Sequence, residues 1–306
     1  MRPSTLRGGF AALIAIALAG CITNAEPPRR RVVQAPPPGP PRAYVDVGLA
    51  GQAVAFEAYT RRAAAIDAGF SGPAEIAQAL QTAAGYEPRQ LEGGMVAYGA
   101  MAALQEPAFV AGIRAQGRGL ASRLAADPGA AMDLPGGSAA AARANAALAR
   151  RGEALADAGR RVKQAAYSVQ HQPWSRARVP NAAQRLAAVE RTSAGGYRPD
   201  PADHARLTAA LADSGRRAGS SPVIERSLAV AALTALGDDG AARSLMRDPK
   251  SGMCLREAKL NFHQCLASAG THYEDIYCLG LHAMADPGQC VVDATRPARV
   301  RQARLD

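Results

Sequence analysis

The sequence predicts an all-α protein: an irregular helical bundle with a helical-repeat-like body, carrying a C-terminal α-hairpin stapled by disulfides. Three observations predict it. Alanine supplies 72 of the 306 residues while aromatics make up 5%. That balance favours helices at close approach over strands, which draw on β-branched and aromatic side chains. Apolar residues recur at helical spacing, and prolines stand repeatedly where a first helical turn would begin, a position that loses nothing by lacking an N–H. Finally, Cys254, Cys265, Cys278 and Cys290 are placed symmetrically about one turn.

The elements follow in chain order. Residues 1–20 carry Arg2 and Arg7, then the apolar run Phe10–Ala19 and Gly20. A basic start and a short apolar core mark a secretory leader, and the run is too short to span a bilayer as a helix. The ending Leu18-Ala19-Gly20-Cys21 resembles the lipobox of bacterial lipoproteins. The resemblance implies cleavage before Cys21, diacylation of its thiol and acylation of the new amino terminus. Ile22, standing where an Asp would retain such a protein at the inner membrane, implies the periplasmic side of the outer membrane. Acyl chains contribute about 0.8 kcal/mol per buried methylene, so two or three of them hold a soluble body firmly on a bilayer. Residues 21–43 read as a tether, with Pro36–Pro41 favouring extended polyproline geometry at about 3.1 Å per residue.

The net charge is +10, and removing the two leader arginines leaves +8. A basic surface suits acidic partners such as anionic lipid or peptidoglycan carboxylates, while export argues against nucleic acid. Arginine-rich solvated helix faces are the simpler account of the charge.

Residues 44–172 read as an Ala-rich bundle. A first helix covers 46–68 with Val54, Phe56, Tyr59 and Ile66 as apolar content. Pro73 starts a second, bearing Ile76 and Leu80 on one face. A third, over 88–104, carries the stripe Leu91, Met95, Tyr98 and Ala102. Pro107 opens a fourth with Phe109, Ile113, Leu120 and Leu124. Ser138 is placed to cap a fifth that continues to Gln170. Along it Leu148, Leu155, Val162 and Val169 stand seven apart, each of the first three followed four residues later by Gly152, Gly159 or Ala166. A seam of large and tiny side chains admits a partner helix at unusually short range, and glycine's helix cost of about 1 kcal/mol argues for a packing reason. The expected partner is intrachain, with the fourth helix as first choice.

A short-helix region spans 173–250: Trp174 plugs a bundle end, and helices are expected at 183–191, 201–214, 222–236 and 239–247. Residues 251–292 form the hairpin, and 293–306 a basic tail. Cys254 and Cys265 lie three helical turns apart on one face, Ala269-Gly270 breaks the helix, and Thr271 with Glu274 makes a capping box for the next. Cys265 and Cys278 have their midpoint at 271.5, Cys254 and Cys290 at 272. Both pairs reflect about the same turn, so nested bridges Cys265–Cys278 and Cys254–Cys290 follow, and an oxidising export route makes them the expected state. In shape this resembles the twin cysteine-x9-cysteine hairpins of small oxidised mitochondrial proteins, although the spacings here are ten and eleven. The rival reading is a metal held with His263, His272 and His282, but no paired ligand spacing frames a tetrahedral site.

Catalytic motifs are scarce. Gly69-Phe70-Ser71-Gly72-Pro73 reads as one helix stopping and another starting. His171 and His204 fall at helix ends, and Glu274 and Asp275 beside His272 and His282 suit a helix N-terminus as well as an acid–base cluster. No catalytic residue, cofactor or metal is assigned. The functional expectation is a non-enzymatic outer-membrane lipoprotein acting as scaffold or adaptor for an envelope protein partner. The alternatives are a peptidoglycan- or glycan-acting envelope enzyme, with carboxylates among Glu57, Glu75, Glu274 and Asp275, or a small-ligand or lipid carrier.

Overall fold

The computed structural model describes residues 47–116, 119–212 and 215–297. The leader, Cys21, the tether and most of the basic tail lie outside the described residues. Within them the chain is all-α, with fourteen α-helices and no strand. No described helix is long and apolar enough to cross a membrane.

The helices are α1 (Val47–Ala64), α2 (Pro73–Ala84), α3 (Pro88–Ala103), α4 (Pro107–Ala115) and α5 (Gly119–Ala126). After a 3-10 turn come α6 (Gly137–Val169), α7 (Pro173–Arg176), α8 (Ala182–Gly195), α9 (Pro201–Ala212), α10 (Pro222–Ala235) and α11 (Asp239–Ser244). The C-terminal hairpin is α12 (Pro249–Ser268), then α13 (His272–Cys278), which runs through a π-helical segment (Leu279–Ala285) into α14 (Asp286–Ala294). Seven of the fourteen open on proline. Side-chain caps add to this: Ser221 accepts from Ile224 N–H and Asp248 from Ser251 N–H.

Helix α3 is the centre of the body. It packs against α1, α6, α10 and α12, and is buried on nearly every side, which its glycines and alanines permit. Phe56 of α1 meets Tyr98 of α3 with ring centroids 5.3 Å apart, and Met95 and Leu148 are fully buried in the same core. One hydrophobic core extends from α1 to α14.

Three details differ from the sequence expectations. Ser138 is not the cap of α6; Gly136 is, at φ 77°, and no side chain caps it. A Cβ there would lie 2.3 Å from the Phe109 amide, so the start of α6 is fixed by its approach to α4. The fourth helix is two, because Gln116 is extended, yet Phe109, Ile113, Leu120 and Leu124 are all buried as the stripe requires. The first helix ends at Ala64, short of residue 68.

The fourth difference concerns the glycine seam. Its partner is intrachain, but it is the second arm of the hairpin. A Cβ on Gly159 would lie 2.3 Å from Ala285 N, and one on Gly280 would lie 2.2 Å from Lys163 N. Gly288 meets Ala156 N at 2.4 Å in the same sense, and Gly152 meets Val292 N at 2.9 Å. Backbone therefore rests on backbone along two full turns, joining the hairpin to the 33-residue α6.

That arm also continues through Pro287-Gly288, where a break would be expected. Pro287 has no N–H for the Ala283 carbonyl four residues back, and its ring crowds that position. The helix widens instead: Asp286 N–H donates to Leu281 O, five residues back. The released Ala283 carbonyl accepts from the buried Tyr59 hydroxyl of α1 at 3.0 Å. The wider turn inserts one residue without ending the helix.

Candidate functional site

The turn between α12 and α13 is held by several independent constraints. The bridge Cys265–Cys278 holds Cα atoms 5.6 Å apart at its mouth, and Cys254–Cys290 holds 5.8 Å at the far end of the arms. Thr271 and Glu274 form the capping box, and Glu274 Oε2 accepts from Gly270 N at 2.7 Å and Thr271 N at 2.9 Å. Burial pushes the Glu274 carboxyl up, but these bonds outweigh it and hold it below the usual carboxylate range. From α8, Arg185 bonds the Leu266 carbonyl, the Ala269 carbonyl and the Asp275 carboxylate. An arginine on the last carbonyls of a helix satisfies groups the helix itself cannot. Burial raises Asp275 to about 6 even against the pull of Arg185. Val179 N–H adds a bond to Gly270 O at 3.0 Å.

Against this fixed turn the end of α6 leaves an open groove of about 250 Å³. Tyr167 and Tyr277 form two walls at right angles, ring centroids 6.2 Å apart with planes at 87°. Tyr273 and the Cys265–Cys278 bridge form others, with Gln170, Ser268 and Glu274 as the polar groups. Tyr167 is 46% exposed, one of the few large apolar side chains to be so. Lys163, one turn earlier on α6, stands with its ammonium 5.6 Å from the Tyr277 ring centre.

The residues singled out in the sequence are placed elsewhere or given local tasks. Glu57 is buried in α1 and pairs with Arg61 at 3.2 Å and Arg151 at 2.8 Å. Glu75 accepts from the Ser71 amide and hydroxyl, both at 2.7 Å, closing the loop before α2. With Glu274 in a cap and Asp275 on Arg185, the four carboxylates considered for catalysis are engaged in a cap, ion pairs or, for Glu75, a loop closure. The larger cleft beside Glu75, about 400 Å³, is lined by Arg62, Asp67 and Phe70, and Asp67 there bonds the Gly69 amide at 2.9 Å. His282 pairs with Asp286 at 2.7 Å and His272 is buried at the turn. Among the described residues no group of three or more His, Cys, Asp or Glu is arranged to hold a metal. Trp174 is half-buried against the core, and its indole N–H donates to Gln172 Oε1 at 2.5 Å.

Two polar clusters were not foreseen. Asp203 of α9 is fully buried and receives Arg61 at 2.8 Å, Arg62 at 3.2 Å, Arg206 at 3.3 Å and the Tyr197 hydroxyl at 2.6 Å. Burial pushes it up, but Tyr197, the Asp200 amide and the arginines prevail, lowering it to about 2. Lys259 of α12 is buried with Nζ 3.1 Å from both Ala84 O and Ser193 Oγ, and 3.6 Å over the Tyr86 ring. It closes the C-terminus of α2 with a positive charge, although burial pushes its ammonium down to about 7.

The three groove tyrosines were also missed. Tyr273 and Tyr277 stand i, i+4 apart, which marks one helix face. Tyr167 is the one aromatic on the otherwise small and charged α6. Compared with known protein families, curated proteins and solved structures, the chain matches none.

Proposed function

We propose that the chain is a lipid-anchored periplasmic protein of the bacterial outer membrane, a non-enzymatic scaffold that presents the tyrosine groove to an envelope protein partner. The observation that carries the reading is the groove itself, set into a hairpin with two disulfides and backbone-to-backbone contact with α6. Preorganisation of this kind lowers the ordering cost of binding. Of the carboxylates that would serve an enzyme, Glu57, Glu274 and Asp275 are taken up by ion pairs and a cap, and Glu75 closes the loop at Ser71. Leu18–Cys21 and the proline-rich segment that follows support an anchor and a spacer. In-cell photo-cross-linking from position 167, with exposed Ser122 as the control position, tests the partner. A reproducible envelope adduct from 167 alone is expected; equal yield from both positions defeats the reading. Cys21→Ser should release the protein from the membrane fraction, and continued sedimentation with membranes would remove the anchor from it.

A further inference from the structure

We infer that the groove seats an arginine side chain of the partner protein, its guanidinium stacked on the exposed Tyr167 ring and reaching Glu274 Oε1. Only the source of the cation rests on the scaffold reading; the groove chemistry stands apart from it.

Charge decides the class of ligand. The groove lining contains one carboxylate and no cation, on a chain of net charge +10. An anionic ligand would meet the Glu274 carboxylate within the lining, Lys163 and Arg178 standing outside it, and a neutral apolar one would strip water from Glu274 without replacing it. Both backbone bonds to Glu274 fall on Oε2, and Oε1 is the oxygen an incoming donor would take. Arg178 acts on Glu274 from outside the lining and helps keep it ionised.

The backbone adds to this. Ala166, Tyr167 and Gln170 belong to the C-terminal end of α6, and Cys265 and Ser268 to that of α12. Two helix C-termini border the groove; Arg185 already takes the last carbonyls of α12, which leaves the negative dipole end of α6 facing it. The single N-terminal end, that of α13, is covered by Glu274.

The same chain shows what such a combination holds. Arg62 lies 4.8 Å over the Tyr197 ring while its Nη2 bonds the Asp203 carboxylate at 3.2 Å. A tyrosine face beside a buried carboxylate is thus an arginine seat within this protein. The groove sets tyrosine rings beside a half-buried carboxylate, with no guanidinium of its own in the lining. Lys163 is a loose substitute, near the outer limit of about 6 Å at which a ring face attracts a cation. A planar guanidinium stacks on one ring and bonds a carboxylate at its edge together, which a compact ammonium cannot.

Calorimetric titration of the purified protein with an acetyl-Ala-Arg-Ala amide peptide, and with the same peptide carrying citrulline, provides the test. Citrulline keeps the shape and removes the charge. The arginine peptide is expected to bind at least tenfold more tightly. Glu274→Gln, which retains a residue suited to the capping box, should weaken it at least fivefold. Tyr167→Ala should abolish binding, and Lys163→Met, which removes the resident ammonium, should strengthen it. Circular dichroism establishes that each variant is folded. Equal affinity for the two peptides, or indifference to Glu274→Gln, overturns the inference. Binding of tetramethylammonium without the arginine peptide also overturns it, in favour of a small-cation pocket. Adducts from position 167 that persist in Glu274→Gln would sustain the scaffold and defeat the arginine; peptide binding without any cellular adduct would do the reverse.

Discussion

Replacing Gly280 by alanine is the sharpest test of how the hairpin is joined to the body. The new Cβ would lie 2.2 Å from Lys163 N, 2.7 Å from Lys163 Cα and 2.8 Å from Gly159 O. Ordinary contact at such atoms begins near 3.4 Å, so α6 and the π segment must part by about 1 Å. All three obstructing atoms are backbone, so no rotamer change relieves the clash. The arm cannot shift alone either, being bridged to α12 at both ends. Overpacking of this kind costs about 1–3 kcal/mol, and immovable neighbours put it at the upper end. Against it stands alanine's helix advantage of about 1 kcal/mol. The net expectation is a loss of about 2 kcal/mol, or roughly 4–8 °C in Tm for a body of this size. Gly51→Ala is the matched control: it lies in α1 with nothing within 4 Å of the new Cβ, so only the propensity gain of about 0.5–1 kcal/mol remains. Urea unfolding followed by far-UV circular dichroism, with m unchanged, reads both. If Gly280→Ala is as stable as the wild type, the close contact does not exist. Gly159→Ala should behave like Gly280→Ala, and the double variant should cost less than the sum, because one separation relieves both clashes.

Other outcomes follow from the same contacts. The outer bridge closes a separation of 36 residues and the inner one 13, so alanine pairs at 254/290 and 265/278 should lower the unfolding free energy by about 4 and about 3 kcal/mol. Urea midpoints should keep that order. Asp203→Asn should destabilise by about 2 kcal/mol at pH 7, the worth of a carboxyl lowered to about 2. Because the folded value lies below the unfolded one, the contribution is whole above about pH 4 and fades as pH falls towards 2; wild type and variant should converge there in acid unfolding. Lys259 is the opposite case. Its folded value of about 7 lies below that of the unfolded chain, so stability should rise with pH from about 7 towards 10, by up to about 1.4 kcal/mol per unit. Lys259→Met should flatten that slope. Tyr59→Phe leaves the Ala283 carbonyl without its 3.0 Å donor, at a cost of about 1–3 kcal/mol in urea unfolding.

What the sequence determined by itself was whatever short-range rules or simple arithmetic govern. Proline at helix starts, alanine content and the capping box at Thr271 and Glu274 act within one turn of the chain, and the helices begin where those residues stand. The cysteine pairing is legible for a related reason: a hairpin reflects positions about its turn, and reflection needs only residue numbers. The glycines of α6 announced a close neighbour in the same way. Which neighbour was decided only in three dimensions. Gly152 and Gly159 are seven apart, while Gly280 and Gly288, which face them, are eight apart. At 3.6 residues per turn an eighth residue falls about 100° out of phase. The π turn that Pro287 forces takes up that one residue and restores the match. The groove belongs to the same class of result. Tyr167 lies more than a hundred residues from Tyr273 and Tyr277, and the three converge only because that glycine contact lays the hairpin along α6. Local chemistry acts along the chain, whereas a site assembled from distant segments exists only once packing has set their distance and phase.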